Sequence, residues 1–337
     1  MDNPTDERNK GRGEGDHGDD DHKPPFDPRT YLYIRTHPSD DGTEPLTAGW
    51  PFWISPDIII TPNGGMPGDV AMPGVNNQVS VTVTNKGGID AIDAYVDVFL
   101  ANPSTAFTPA TATPLGDGFL TIPGYNTATI TINWLPGPAD SGHRCLLARV
   151  SLLTTGDTYV NPAVFDVVGD RHVAQRNIHV VEMTGQQAMT FGFMIVNPFD
   201  QATDFQIQLE ELKAEGQLMA QVRQVLRCSF AQFDNQPLGA VTLGFGDGPP
   251  DETDAAKRIE ALRPAMGVLK RSSLAVRQPL RSNKDWVTLQ RGESRYATIQ
   301  VESSGNGRLG DLHVVQVTQR HAKTNALVGG LTLIVQN

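Results

Sequence analysis

The chain has 337 residues and a net charge of −11, and 19% of its residues are charged. This length is sufficient for two domains with separate cores. The acidic balance argues against a general nucleic-acid binder, and two cysteines exclude a disulfide scaffold or a cysteine-rich zinc fold. The sequence has no run of 18 uncharged apolar residues, which excludes a transmembrane helix.

Residues 1–28 form a polar segment that is predicted to be a disordered acidic tail. The segment holds nine acidic and four basic residues, and Phe26 is its only large apolar residue after Met1. Such a composition cannot bury enough surface to offset the entropy of ordering. No apolar core of a signal peptide is present in the first 30 residues, so the expected location is the cytoplasm or export by a non-standard route.

Residues 29–184 show the pattern of a β-sandwich. Val79, Val81 and Val83 alternate with polar residues, and the segment stops at a turn over 85–88. Ranges 94–100, 129–134 and 145–153 are further strands, and 177–181 is expected to close the set. Alternation with a period of two, β-branched residues and turn punctuation all indicate antiparallel strands.

Residues 185–337 repeat this pattern with one interruption. Phe191, Phe193 and Ile195 alternate, and a turn over 197–200 separates them from a return strand over 205–209. Helical spacing over 212–226 and 255–262 predicts a helical insertion at about 212–275. The expected fold is mainly β, with two tandem immunoglobulin-like β-sandwiches and the helical insertion in the second.

No established catalytic motif is present. The sequence lacks H-E-x-x-H, G-x-S-x-G, a Walker A loop and an EF-hand loop. His143 and Cys145 are close enough for a Cys/His hydrolase, a remote alternative to core or edge packing. No nearby acid orients this pair, so the protein is not expected to be an enzyme, and neither a cofactor nor a metal is expected.

Three aromatic residues precede the apolar run over 58–60. Trp50, Phe52 and Trp53 could stack on a sugar ring, which would make this a carbohydrate- or ligand-binding module. Aromatic residues before a strand also plug the end of a sandwich core, and the sequence favours this second interpretation.

The clearest electrostatic feature is a basic segment over 257–295, with ten basic and three acidic residues. One interpretation is a solvated surface balanced by acids elsewhere. The other is a patch that meets an acidic protein partner, including the acidic tail of a neighbouring copy. The patch residues that we assign to such a partner are Lys270, Arg271, Arg277, Arg281 and Lys284.

Four ordered segments resemble bacterial immunoglobulin-like domains of the CARDB (cell-adhesion-related) type over residues 50–182. They are F-W-I-S-P-D-I at 52–58, V-S-V-T-V-T-N-K-G-G at 79–88, G-H-R-C-L-L-A-R-V at 142–150 and R-N-I-H-V-V at 176–181. The resemblance implies a non-catalytic module, usually of surface or secreted proteins, with no catalytic residues to transfer.

The sequence therefore favours a non-catalytic protein that acts in adhesion or as a scaffold of a larger assembly. A protein partner or self-association is expected, a glycan ligand is an alternative, and neither nucleic acid nor a membrane span is expected. Exposed sheet edges and long loops, such as 101–118, are predicted to carry the contacts.

Overall fold

The computed structural model describes residues 27–46, 51–65, 67, 71, 74–137, 144–182, 188–212, 217–226, 238–245, 283–302 and 312–336. In these ranges the protein is mainly β, as predicted, and the strands form four sheets. The predicted acidic tail lies outside the described residues up to residue 26.

The first half of the chain forms two sheets, called here the first sheet pair. One sheet has β3 between β6 and the two short partners β1 and β2, and the other has the order β5–β4–β7, with β8 and β9 on β7. In chain order the strands are β1 (Leu32–Tyr33), β2 (Ile58–Pro62), β3 (Asn77–Asn85), β4 (Ala91–Ala101), β5 (Ala112–Ile122), β6 (Asn126–Trp134), β7 (Cys145–Leu152), β8 (Asp157–Thr158) and β9 (Val173–Arg176).

Alternation places one face of each sheet in a shared core. Val79, Val81 and Val83 of β3 are fully buried in a cluster with residues of both sheets, as the sequence predicts. The opposite face of β3 is polar, and Thr82 pairs its hydroxyl with that of Thr129 on β6 at 2.9 Å. One apolar and one polar face per strand is typical of antiparallel sheets that pack face to face.

The second half forms the second sheet pair, with sheets in the orders β10–β17–β16–β12–β14 and β11–β15–β13. Phe193, Ile195, Phe205 and Ile207 are at most 1% exposed in the core between these sheets. In chain order the elements are β10 (Ile178–Glu182), β11 (Ala188–Val196), β12 (Thr203–Leu212), α1 (Gln217–Leu226), β13 (Ala240–Phe245), β14 (Asn283–Leu289), β15 (Ser294–Glu302), β16 (Leu312–His321) and β17 (Leu327–Gln336).

Helix α1 occupies part of the predicted helical insertion. It begins at Gln217, later than the predicted position, because Leu212 ends β12, which pairs with β16 as far as Val314. Met219 and Val222 lie on its buried side. The rest of the predicted insertion, including the helix expected over 255–262, lies outside the described residues apart from 238–245, which contain β13.

Strand β10 does not close the first sheet pair, which corrects the sequence-based expectation. It pairs parallel with β17, with Ile178 opposite Thr332 and Glu182 opposite Gln336. Local alternation predicts that a strand forms but does not identify its partner, so the sequence placed 177–181 with its neighbours in the chain. The predicted boundary between 184 and 185 stays a prediction.

Candidate functional site

A single residue, Asn177, links β9 of the first sheet pair to β10 of the second. Asn177 is 1% exposed. Its backbone N–H donates to the Trp53 carbonyl at 2.8 Å, and its carbonyl accepts from the Thr332 N–H at 3.1 Å. Its side-chain Nδ2 donates to the carbonyls of Ser104 at 2.7 Å and Gly330 at 3.0 Å. Both sheet pairs therefore supply hydrogen-bond partners to the linking residue.

An apolar cluster, called here the junction core, lies around this link. Trp53 is 1% exposed in it, and its Nε1 donates to the Thr332 hydroxyl at 2.8 Å. Full burial of a side chain of this size contributes about 3 kcal/mol. The buried members are Phe52, Trp53, Ile54, Phe99, Ala101, Phe107, Cys145, Leu147, Phe165, Val167, Val173, Met219, Val222, Leu312, Val314 and Ile334.

Loop 102–107 joins the two sheet pairs by backbone hydrogen bonds. The Thr105 N–H donates to the Met194 carbonyl at 2.9 Å, and the Met194 N–H donates to the Pro103 carbonyl at 2.8 Å. The Thr105 hydroxyl donates to Oε1 of Gln319, whose Nε2 donates to the Val196 carbonyl at 2.9 Å. Ser104 and Met194 form an isolated parallel bridge, so the loop extends the junction in the manner of a short strand.

This arrangement corrects the expectation for 101–118 as a long exposed loop. Thr105 is fully buried, and Ala106 and Phe107 are also buried. From Ala112 onward the segment is strand β5. The Pro103 carbonyl and the Thr105 N–H are paired with Met194 of the second sheet pair instead of with solvent.

The buried Cys145 thiol is part of the same junction. Its Sγ donates to Oδ1 of Asn177 at 2.6 Å. Burial raises the pKa of Cys145, which disfavours the thiolate that nucleophilic catalysis needs. His143 lies outside the described residues. The geometry of Cys145 is therefore that of a structural hydrogen bond at the junction.

We expect Cys145 to resist alkylation by iodoacetamide in the folded protein and to react after denaturation. The measurement is intact-mass analysis in a Cys228→Ser background, which leaves Cys145 as the single thiol. Rapid single-site labelling of the folded variant would contradict this account and revive the hydrolase alternative.

A buried ion pair lies beside the junction core. Nη2 of Arg149 on β7 is 2.6 Å from Oδ2 of Asp97 on the neighbouring β4. The guanidinium also lies 5.0 Å from the ring centroid of Phe99, 4.5 Å from that of Tyr159 and 5.1 Å from that of Phe165. This cation–π cage packs loop residues 159–165 onto the outer face of β4 and β7.

A second charged cluster ties β1 to the other sheet of the first sheet pair. The ring nitrogens of buried His172 each lie 2.8 Å from a carboxylate oxygen, Nδ1 from Asp170 and Nε2 from Asp157. Asp157 also accepts from the N–H of Leu32 in β1 at 2.8 Å. A ring can donate to a carboxylate at both nitrogens only as the imidazolium, so this arrangement favours the charged form of His172.

Glu44, Asp170 and His172 have potential ligand atoms within 4.8 Å of one another. The positive charge next to these residues is the Arg171 guanidinium, whose Nη1 donates to Oε2 of Glu44 at 2.5 Å. Both ring nitrogens of His172 already face carboxylates, and the imidazolium that this arrangement favours has no lone pair for a metal. The arrangement is that of an ion-pair network.

The His172 cluster predicts a loss of stability as the pH rises. Burial lowers the pKa of His172, but its hydrogen bonds to Asp157 and Asp170 outweigh this effect and raise the pKa above the ordinary value of 6.5. A raised folded-state pKa means that the stabilisation is complete below the unfolded pKa and is lost as the pH passes the folded pKa. We expect this contribution to the unfolding free energy to be complete below the ordinary pKa of 6.5 and to be lost as the pH rises through the raised folded-state pKa.

Two measurements check this expectation. NMR titration of the His172 ring should give a pKa above 6.5, with the signal assigned by comparison with His172→Gln. Denaturant unfolding should show a smaller pH slope for His172→Gln than for the unmodified protein. A ring pKa at or below 6.5 would contradict the imidazolium assignment.

The sequence-predicted ligand residues are buried where they are described. Phe52 is 3% and Trp53 is 1% exposed, and their rings meet edge to face at 5.1 Å. Trp50 lies outside the described residues. This burial favours packing, and ligand binding by Trp50, Phe52 and Trp53 stays a prediction.

The predicted basic patch falls almost entirely outside the described residues. Lys270, Arg271, Arg277 and Arg281 belong to the range 246–282, and only the backbone of Lys284 is described, in β14. Among the described helices, none is long and apolar enough to cross a membrane.

The residues that build the junction carry little signal in the sequence. The alternation over 177–181 marks Asn177 only as the start of a strand and does not point to its long-range partners. One signal was present: adjacent glycines, Gly329 and Gly330, precede an apolar strand pattern, which is typical of a close approach by another backbone.

No protein-family model and no curated protein matches the chain. Among solved structures, the CARDB domain of a Pyrococcus furiosus protein, in complex with di-metal ions, is similar to part of it. The identity is 20% over 41% of this chain and 93% of that chain, with a TM-score of 0.25.

The CupB6 tip adhesin of Pseudomonas aeruginosa is 9% identical over 92% of this chain and 100% of that chain, with a TM-score of 0.21. Red sea bream transglutaminase is 11% identical over 83% of this chain and 31% of that chain, with a TM-score of 0.19. The first of these matches is to a CARDB domain, the type of domain that the sequence resembles. With TM-scores of this size, none of the three similarities carries an argument about function.

Proposed function

We propose that the protein is a non-catalytic structural or interaction module, formed by two tandem immunoglobulin-like sandwiches held as one rigid body. The observation that carries this proposal is the junction at Asn177. One residue separates β9 from β10, and its backbone and side-chain groups bond to residues of both sheet pairs. A link of one residue with these bonds does not allow the two sheet pairs to move independently.

The junction core supports rigidity on independent grounds. Domains within a chain are expected to move relative to one another unless their interface is large and hydrophobic. Here Trp53 of the first half packs over Gly330 of the second, and α1 contributes Met219 and Val222 to the same cluster. A rigid pair of sandwiches holds its exposed edges and loops at fixed spacing, which suits adhesion or a scaffold.

Self-association through the basic patch is the form of this function that the charges favour. The acidic segment 1–28 of one copy and the basic segment 257–295 of another have opposite charge. We expect the native mass from light scattering to exceed the monomer mass at low salt and to fall as salt screens the attraction.

The charge test has matched variants. Arg277→Glu with Arg281→Glu should abolish the low-salt association, and so should a chain that begins at Asp27, which keeps the described contacts. Lys323→Glu, an exposed site outside the patch, should have no effect. A mass that is independent of salt and of all these changes would contradict self-association.

The carbohydrate alternative has a separate test. If Trp50, Phe52 and Trp53 bind a sugar, addition of the ligand should shift the tryptophan fluorescence, because stacking changes the environment of the indole rings. The absence of a shift across a broad glycan set would remove this alternative.

The CARDB resemblance implies a surface or extracellular location, and we include that location in the proposed structural or interaction function.

A further inference from the structure

The second sheet pair contains a parallel strand pair at the two ends of its chain segment. β10 is its first strand and β17 is the last strand described. The two pair in register over five residues, from Ile178 opposite Thr332 to Glu182 opposite Gln336. The other strand pairs described, apart from an isolated bridge, are antiparallel.

This topology determines how the pair responds to tension. Tension in the chain pulls β10 backward at its N-terminal end and pulls β17 forward at its C-terminal end. Because the strands are parallel, these forces are opposed along the strand axis, and all hydrogen bonds of the ladder are loaded together in shear. Antiparallel neighbours joined by a hairpin would instead open from one end, one bond at a time.

Both strands of the pair are anchored against this load. β17 is an interior strand and also pairs with β16 from Leu312 to Arg320. β10 continues directly into Asn177, which is bonded to the Trp53 carbonyl of the first sheet pair. Tension therefore reaches the ladder from the first sheet pair without a flexible segment between them.

We propose that the β10–β17 pair is a mechanical clamp and that the protein carries tensile load along its chain. This inference rests on the proposed structural function and adds that the protein resists mechanical tension in that function. The loads that fit are those between two attachment points, one on the chain before β10 and one after β17.

The direction of the backbone groups allows a matched pair of variants. The Thr332 N–H donates to the Asn177 carbonyl. In a parallel edge strand, every second residue directs both its N–H and its C=O at the neighbouring strand. The backbone groups of His179 and Val181 therefore point toward β17, and those of Val180 point away from it. Val181→Pro removes one clamp hydrogen bond, whereas Val180→Pro removes an N–H on the side away from β17, where no described strand pairs with β10.

The test is single-molecule force spectroscopy of the full chain with handles at both ends. We expect two unfolding events, with the stronger one releasing about 550 Å of chain between residues 178 and 336. Val181→Pro should lose the strong event and keep the weak one, and Val180→Pro should keep both. Circular dichroism and thermal unfolding first establish that each variant folds.

Two results would overturn the clamp. One is a strong event that persists in folded Val181→Pro. The other is unmodified protein in which neither event exceeds the other in force, a result that needs no variant to fold. The clamp and the rigid junction can fail separately. If the clamp fails but the measured distribution of distances between the two sheet pairs stays narrow, the rigid junction still stands.

Discussion

Replacement of Arg149 by alanine is expected to lower the unfolding free energy by about 3–5 kcal/mol, because it leaves a buried carboxylate without its partner. Asp97 faces Arg149 with 2.6 Å between Oδ2 and Nη2 and 3.3 Å between Oδ1 and Nε. The guanidinium also donates to the Pro162 carbonyl at 3.2 Å. Loss of this side chain therefore removes the cation, the anchor of the 159–165 loop and the ring contacts.

Urea unfolding of Arg149→Ala measures this effect, with two controls. Asp97→Asn combined with Arg149→Met removes both charges and should recover much of the loss, because no unpaired charge stays buried. Arg29→Ala breaks the exposed pair of Arg29 with Asp27 and should leave the midpoint unchanged. An Arg149→Ala midpoint equal to that of the unmodified protein would show that the pair is not buried in solution.

Replacement of Gly329 by alanine is expected to cost about 3 kcal/mol or more, through overpacking at the junction. A Cβ at Gly329 would lie 1.4 Å from the Thr105 carbonyl oxygen and 2.4 Å from its carbon. Both atoms belong to the backbone, so loop 102–107 must leave β17 to make room. The same change should also loosen the two sheet pairs from one another.

The matched control is Gly244→Ala on β13, in the same sheet pair. Its Cβ would lie 3.0 Å from the Thr298 Oγ1, a side-chain atom that can move aside. We expect an effect within about 1 kcal/mol, since a methyl group also restricts the unfolded chain. Equal stability of the Gly329→Ala and Gly244→Ala variants in urea unfolding would contradict the close approach of loop 102–107.

The strands could be predicted from the sequence because their signal is local. Val79, Val81 and Val83 alternate with polar residues, and each is buried as that pattern requires. Burial of Phe52 and Trp53 also follows from their position before an apolar run. The mainly β fold needed no more than this periodicity.

The junction could not be predicted because its contacts join residues that are far apart in the chain. Asn177 is bonded to Ser104 and Gly330, which are 73 and 153 positions away in the sequence. The partner of β10 is likewise set by the arrangement of whole sheets. Alternation in one strand carries no information about either of these long-range choices.

The central claim is that the two sheet pairs form one rigid body, and distance measurement between spin labels tests it most directly. Leu153→Cys and Lys323→Cys place labels on exposed positions of the first and second halves, in a Cys228→Ser background that leaves Cys145 buried. Leu153→Cys with Thr127→Cys is the reference pair within the first sheet pair. We predict one narrow distance distribution for both pairs. A broad or multiple distribution for the pair that spans the junction, beside a narrow reference, would contradict the account.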